Sequence, residues 1–152
     1  MTFDIIPFSA KYLDAVEKLE QRCFSDPFTR TMLENALTNE RSAAYVALCG
    51  NELAGYIELF DFVDSIDICT IETAPEYRRM GLARRFMQLA EEEASKRDVP
   101  VITLEVRISN APAIALYEEA GFTRVGIRRN YYEKPREDAA VYFKHITEEK
   151  QT

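Results

Sequence analysis

Between residues 65 and 106 the hydrophobic period changes twice, and that change limits the possible folds more than any other feature of the chain. "SIDICTIE" (65–72) is a β-rich run. From Gly81 to Lys96, Leu82, Phe86 and Leu89 recur at helical spacing, with "EEE" (91–93) expected on a solvated face. "VITLEV" (101–106) is again a strand. Strand, helix and strand in that order require a parallel crossover.

The flanking segments require antiparallel pairing instead. "FDIIPF" (3–8) is a short strand, and "SAKYLDAVEKLEQRCF" places Leu13, Val16, Leu19 and Cys23 on one helical stripe with Ser9 as its N-cap. "SDPF" (25–28) breaks the chain before a shorter helix around 30–39. "AAYVAL", the turn "CGNELAG" and "GYIELFDF" form a hairpin. Near the C-terminus "NAPAIALYEEAG" (110–121) is a helix capped by Asn110, with Pro112 in its first turn and Gly121 at C′. "FTRVGIRRNYY" and "AAVYFKHI" are two strands joined by the turn-rich "EKPRED". The order β-α-α-β-β-β-α-β-α-β-β implies an α/β fold: a mixed central sheet of about seven strands flanked by four helices. Nothing repeats and no Gly/Ser- or Pro-rich linker divides the chain, so its 152 residues are expected to form one domain, 1–152.

Composition narrows the class. At 47% hydrophobic and 30% charged residues the chain can bury a core, which argues against disorder. No apolar stretch approaches the roughly 18 to 20 residues of a membrane span. "MTFDIIPFSAKYLD" lacks the basic lead and apolar run of a secretory signal. Cys23, Cys49 and Cys69 are odd in number and have no metal or redox spacing, which fits reduced thiols in a cytoplasmic protein. A net charge of −7, from 26 acidic and 19 basic side chains, is the opposite of a nucleic-acid binder's balance. It favours a cationic partner such as an amine or a basic peptide, or serves solubility alone.

"APEYRRMGLARRF" (74–86) inverts that charge locally. Arg78, Arg79, Arg84 and Arg85 cluster where the strand hands over to the long helix, in the pattern Arg78-x-x-Gly81-x-Ala83. Free backbone N–H groups at a helix start, together with its positive dipole end, form an anion site. Gly81 and Ala83 keep side chains clear of it, so a phosphate can reach the backbone. The pattern is neither a Walker loop nor the three-glycine dinucleotide fingerprint. An Arg-rich surface turn would look the same by spacing alone.

"LEVRISNAPAIALYEEAGF" (104–122) sets polar groups into an apolar strand and helix. Alternation turns Ile102, Leu104 and Val106 one way and Val101, Thr103 and Glu105 the other. A carboxylate near the C-terminal end of a sheet strand can serve as a general base, or pair with Arg107 or an Arg on a neighbouring strand. Asn110 suits a helix cap. Tyr117 shares the stripe of Ala113 and Ile114 and is either a core tyrosine or a proton donor. His145, the only histidine, alternates with Val141 and Phe143 and is assigned no catalytic role.

The Arg-Arg-x-Gly-x-Ala turn, "LEVRISNAPAIALYEEAGF" and "IRRNYYEKPREDAAVYF", in this order of elements, resemble the GCN5-related N-acetyltransferases, the GNAT superfamily. Within it they are most similar to the branch that acetylates protein N-termini, the ribosomal-protein-alanine type. The similarity runs from roughly residue 68 onward, about half the chain; the first 60 residues match in element order only. The resemblance implies acetyl-CoA as co-substrate, no metal, and direct transfer to a protein or peptide amine, foremost an N-terminal α-amine. The cofactor's pyrophosphate would lie on Arg78, Arg79, Met80, Gly81, Leu82, Ala83 and Arg84, with Asn110 as a further contact. Backbone N–H groups at Ile71, Glu72 and Thr73 would polarise the thioester carbonyl. Glu105, directly or through a water, would take the amine's proton, and Tyr117 would protonate the departing thiolate. Phe28, Tyr131 and Tyr132 would pack around the acceptor's first residues.

Two departures from the branch's pattern bear on the acceptor. The loop between the first two helices typically carries Pro-Trp, whereas here it reads Asp26-Pro27-Phe28 and the chain has no Trp. Glu72 stands where a small or apolar residue is usual and is a second candidate base. Cys69 lies near the acceptor region without a histidine partner, so no covalent intermediate is expected. The expected partner is a peptide or protein N-terminus, a basic ribosomal protein among the candidates. No direct nucleic-acid or membrane contact is expected, and monomer and homodimer both stay open. A small free amine or a lysine side chain is the alternative acceptor. A non-catalytic acyl-CoA-binding module would need the Arg/Gly turn but not an acid–base pair.

Overall fold

The computed structural model describes residues 2–146. In chain order the elements are β1 (Asp4–Pro7), α1 (Leu13–Cys23), α2 (Arg30–Thr38), β2 (Ser42–Cys49), β3 (Glu52–Asp61), β4 (Ile66–Thr73), α3 (Leu82–Lys96), β5 (Val101–Arg107), α4 (Ala111–Glu119), β6 (Thr123–Glu133) and β7 (Arg136–His145). This is the order expected from the hydrophobic periods. One seven-stranded sheet runs β1-β2-β3-β4-β5-β7-β6. Its neighbours pair antiparallel except β4 and β5, which the α3 crossover makes parallel.

Each face of the sheet buries its own core. Ile57, Leu59, Ile66, Ile68, Ile102, Leu104 and Tyr142 pack under α3 and α4 with Phe86 and Tyr117. Val46 and Tyr56 pack under α1 and α2 with Val16, Leu19 and Leu33. Gly55 lets α3 approach the sheet: a Cβ there would lie 2.8 Å from the Glu72 carbonyl oxygen, 2.9 Å from Leu82 Cδ2 and 3.0 Å from Phe86 Cε2. The carbonyl belongs to the paired β4 backbone and cannot yield. Gly55→Ala is therefore expected to cost about 2–3 kcal/mol by overpacking, measured as a lower urea midpoint at unchanged slope.

Three local expectations change. Ser9 makes no capping bond, because a 3₁₀ turn over Ala10–Tyr12 precedes α1. The 91–93 run is not wholly solvated: Glu93 is buried, accepting from Arg97 Nε at 2.7 Å and from the Tyr45 hydroxyl at 3.2 Å. The segment 133–138 is largely strand, since β6 and β7 pair up to Glu133 and Arg136.

Candidate active site

The site begins where two parallel strands separate. β4 and β5 pair only at Ile66–Ile102, Asp67–Thr103 and Ile68–Leu104. Beyond Ile68, β4 bulges against β3: Leu59 stands opposite Ile68 and Glu58 opposite Thr70, leaving Cys69 as the extra residue. The bulge also exchanges faces. Ile66 and Ile68 belong to the core under α3, whereas Thr70 and Glu72 turn toward Glu20 on α1. The β5-facing backbone groups of β4 past this point have no strand partner, and a cavity of about 320 Å³ opens between the strands.

Glu105, Asn110, Tyr117 and Ile71 all border that cavity. Tyr117 comes from the α3/α4 side, 6% exposed within the core there. Burial pushes its hydroxyl's pKa up, so the group keeps its proton at neutral pH. Glu105 comes from the other face, as its alternation with Leu104 and Val106 requires. Its Oε2 accepts from Arg128 Nε on β6, so an ion pair exists, formed not with Arg107 or an adjacent strand but with an arginine two strands away, and the carboxylate still borders the opening. Asn110 performs its capping job, accepting from Ala113 N at 3.2 Å.

On the α1/α2 side the opening continues into a second cavity of about 500 Å³, bordered by Phe28, Asp67, Glu105, Tyr131 and Tyr132. Simple alternation would put Tyr131 and Tyr132 on opposite faces. Instead β6 is irregular between Arg128 and Tyr132, with Asn130 at φ 53, and both rings reach this cavity, 5.1 Å apart edge to face. Burial and the Glu105 carboxylate raise the Tyr131 hydroxyl's pKa, and burial with neighbouring Tyr131 pushes that of Tyr132 up to about 12. The loop carrying Phe28 is pinned from below, because Glu20 Oε1 accepts from Phe28 N at 2.8 Å.

The Arg/Gly turn caps the far end of β4. Gly81 adopts φ 84, a left-handed conformation that favours glycine, and α3 starts after it with no side-chain cap. The first N–H groups of α3, from Leu82 to Arg84, are therefore free to bind an anion. The four arginines do not act as one cluster. Arg78 turns back, donating from Nε to the Thr73 carbonyl at 3.1 Å; Arg84 pairs with Glu119 at 2.6 Å; Arg85 donates to the Phe3 carbonyl at 2.9 Å. Arg79 and Met80, at φ 65 and 45% exposure respectively, project from the turn itself.

Glu72, the second candidate base, borders neither cavity. It is fully buried, Oε2 has no hydrogen-bond partner among the described residues, and burial followed by the nearby Glu20 carboxyl drives its pKa well up. Burial thus favours its neutral form. Burial likewise raises the Cys69 thiol, so no thiolate forms there at neutral pH.

Sequence reasoning passed over Glu20, and it considered Arg107 only as a partner for Glu105, which Arg128 holds instead. Glu20 had a signal: it lies four residues after Val16 and three before Cys23, on the apolar stripe of α1, where a carboxylate needs a buried partner. It finds Thr70 Oγ1 at 2.8 Å and Phe28 N. Arg107 had none, because its partners come from distant loops.

Comparison with known proteins agrees with this geometry. The family model described as "Acetyltransferase (GNAT) family" matches residues 13–122. The chain is 34% identical over 137 residues to a putative ribosomal protein bS18-alanine N-acetyltransferase of Bacillus subtilis, covering 90% of this chain and 91% of that one. It is 36% identical over 132 residues to the ribosomal protein bS18-alanine N-acetyltransferase of Escherichia coli K12, covering 85% and 88%. The crystal structure of the Escherichia coli ribosomal-protein-S18-alanine N-acetyltransferase superposes with a TM-score of 0.88 at 32% identity, covering 97% of this chain and 96% of that one. Arabidopsis thaliana NAA60, solved in complex with acetyl-CoA, shares the fold with a TM-score of 0.86 at 18% identity, covering 95% and 99%. A sheet parted at β4 and β5, an uncapped helix behind a left-handed glycine and these relatives lead to one conclusion: the chain belongs to the GNAT family of N-acetyltransferases.

Proposed function

We propose that the protein transfers the acetyl group of acetyl-CoA to the α-amine of a protein N-terminus, an alanine foremost. The observation that carries this reading is that Glu105 and Tyr117 border one opening from opposite faces of the sheet. A donor held on the α3/α4 side and an amine entering from the α1/α2 side meet there without either crossing the sheet. Acetyl-CoA supplies the activated acyl group; the free N–H groups of α3, with Gly81, Arg79 and Arg84, are suited to its pyrophosphate. The 71–73 backbone polarises the thioester carbonyl, Glu105 takes the amine's proton, and Tyr117 gives its proton to the departing thiolate.

Glu105 is the base rather than Glu72, since Glu105 borders the opening while Glu72 is buried away from both cavities, where its neutral form is favoured. The acidic wall of the acceptor side, Asp67 and Glu105 with Glu133, suits a cationic N-terminal segment such as that of a basic ribosomal protein. Among the described residues no helix is long and apolar enough to cross a membrane, and a cytoplasmic site of action goes with this reading. Mass spectrometry of acetylated products tests it. An alanine-initiated peptide should be acetylated at its α-amine in preference to N-blocked lysine peptides and polyamines. Preference for either of the latter sinks the N-terminal assignment. Charge reversal of Arg79 and Arg84 to Glu should raise the acetyl-CoA KM about tenfold or more, read by steady-state kinetics.

A further inference from the structure

We propose that Arg107 is a positioning residue for the acceptor: it fastens together the two loops that wall the acceptor side and so sets how tightly a peptide N-terminus is held. The inference rests on the acetyltransferase reading above. Arg107 ends β5, two residues after Glu105, yet it does not pair with Glu105, which Arg128 holds. Its guanidinium reaches two separate pieces of the chain. Nη2 donates to Asp26 Oδ2 at 3.1 Å and Ser25 Oγ at 3.3 Å, in the loop between α1 and α2, and to the Lys134 carbonyl at 3.1 Å. Nη1 donates to the Pro135 carbonyl at 2.9 Å and Glu137 Oε1 at 3.0 Å, across the β6–β7 turn. The planar group lies 4.3 Å from the centroid of the Tyr132 ring.

These contacts position the acceptor walls from behind. Phe28 follows Asp26 by two residues, and Tyr131 and Tyr132 precede Lys134 by three and two. Without the guanidinium, Asp26 and Glu137 lose the cation that offsets their like charges, and two turn carbonyls lose their donor, so the walls separate. Only a planar fork with several donors can serve both loops and stack on a ring at once; a lysine ammonium is a single point charge.

The test uses the whole protein and an alanine-initiated hexapeptide. Arg107→Ala should raise the peptide KM about tenfold or more while the acetyl-CoA KM changes by less than about twofold, and Arg107→Lys should recover little of the loss. Hydrogen exchange should quicken in segments 24–29 and 133–137 and stay unchanged in α3. An unchanged peptide KM, or a parallel rise in both KM values, overturns the proposal. Should Arg107→Ala fail to fold, Asp26→Asn tests the same strut: its severalfold effect on peptide KM should shrink in the Arg107→Lys background, and an equal effect in both backgrounds overturns the idea. A wild-type protein that leaves the peptide unacetylated overturns the N-terminal assignment instead. Exchange in the two loops then decides the strut, with unchanged rates in Arg107→Ala counting against it.

Discussion

Tyr117→Phe is expected to lower kcat roughly a hundredfold, the usual worth of a positioned proton donor, while leaving acetyl-CoA affinity nearly unchanged. The phenyl ring stays, and with it the packing against Phe122, whose ring centroid lies 6.2 Å away. What disappears is one hydroxyl at the edge of the opening. Direct transfer expels a thiolate, and a thiolate leaving into a half-buried cavity needs a proton on arrival. Burial raises the Tyr117 pKa, so the acid is fully loaded across the working range. The sign follows: wild-type kcat should show no alkaline fall from this group below about pH 10, the ordinary tyrosine value. Calorimetric titration with acetyl-CoA separates binding from turnover. A variant turning over within twofold of wild type would leave Tyr117 as a core tyrosine and nothing more.

The fold was legible because two periods, 3.6 and 2, decide which side chains face a core, and this chain keeps them in nearly every element. Leu82 and Phe86 on α3, and Ile102 and Leu104 on β5, are buried where their spacing puts them. Legibility failed where the backbone leaves its period. The extra residue at Cys69 turns Thr70 and Glu72 toward α1, and the irregular stretch before Tyr132 gathers two tyrosines on one side; alternation predicts neither. It failed again where one side chain answers to distant segments. Glu93 looks like part of an acidic run until Arg97 and Tyr45 are brought to it, and Arg107 is one arginine among many until Asp26 and Glu137 arrive. Such residues carry no local signature because their partners are chosen by the topology.

The same limit applies to choosing the base, and pH resolves it. Glu105→Gln should cost about a hundredfold in kcat/KM for an alanine-initiated peptide near pH 6.5, and less than about tenfold near pH 9. An α-amine titrates near ~8, so below that pH most acceptor molecules arrive charged and their proton must be removed at the site. Above it the amine arrives neutral, and the base has less to do. Without Glu105 the rate should follow the neutral fraction, rising with pH until the amine has titrated and flattening beyond. With Glu105 the profile should be flatter on the acid side. The lost ion pair is a poor rival explanation, because Arg128 is 59% exposed and surface pairs of this kind contribute little. Such a loss would also be the same at every pH between the carboxylate and amine titrations, so a constant ratio of wild-type to variant rates would remove Glu105 from the proton path. Glu72→Gln is the internal contrast. That carboxyl lies buried away from both cavities, where its neutral form is favoured, so its replacement should leave the shape of the profile unaltered, even where it changes stability.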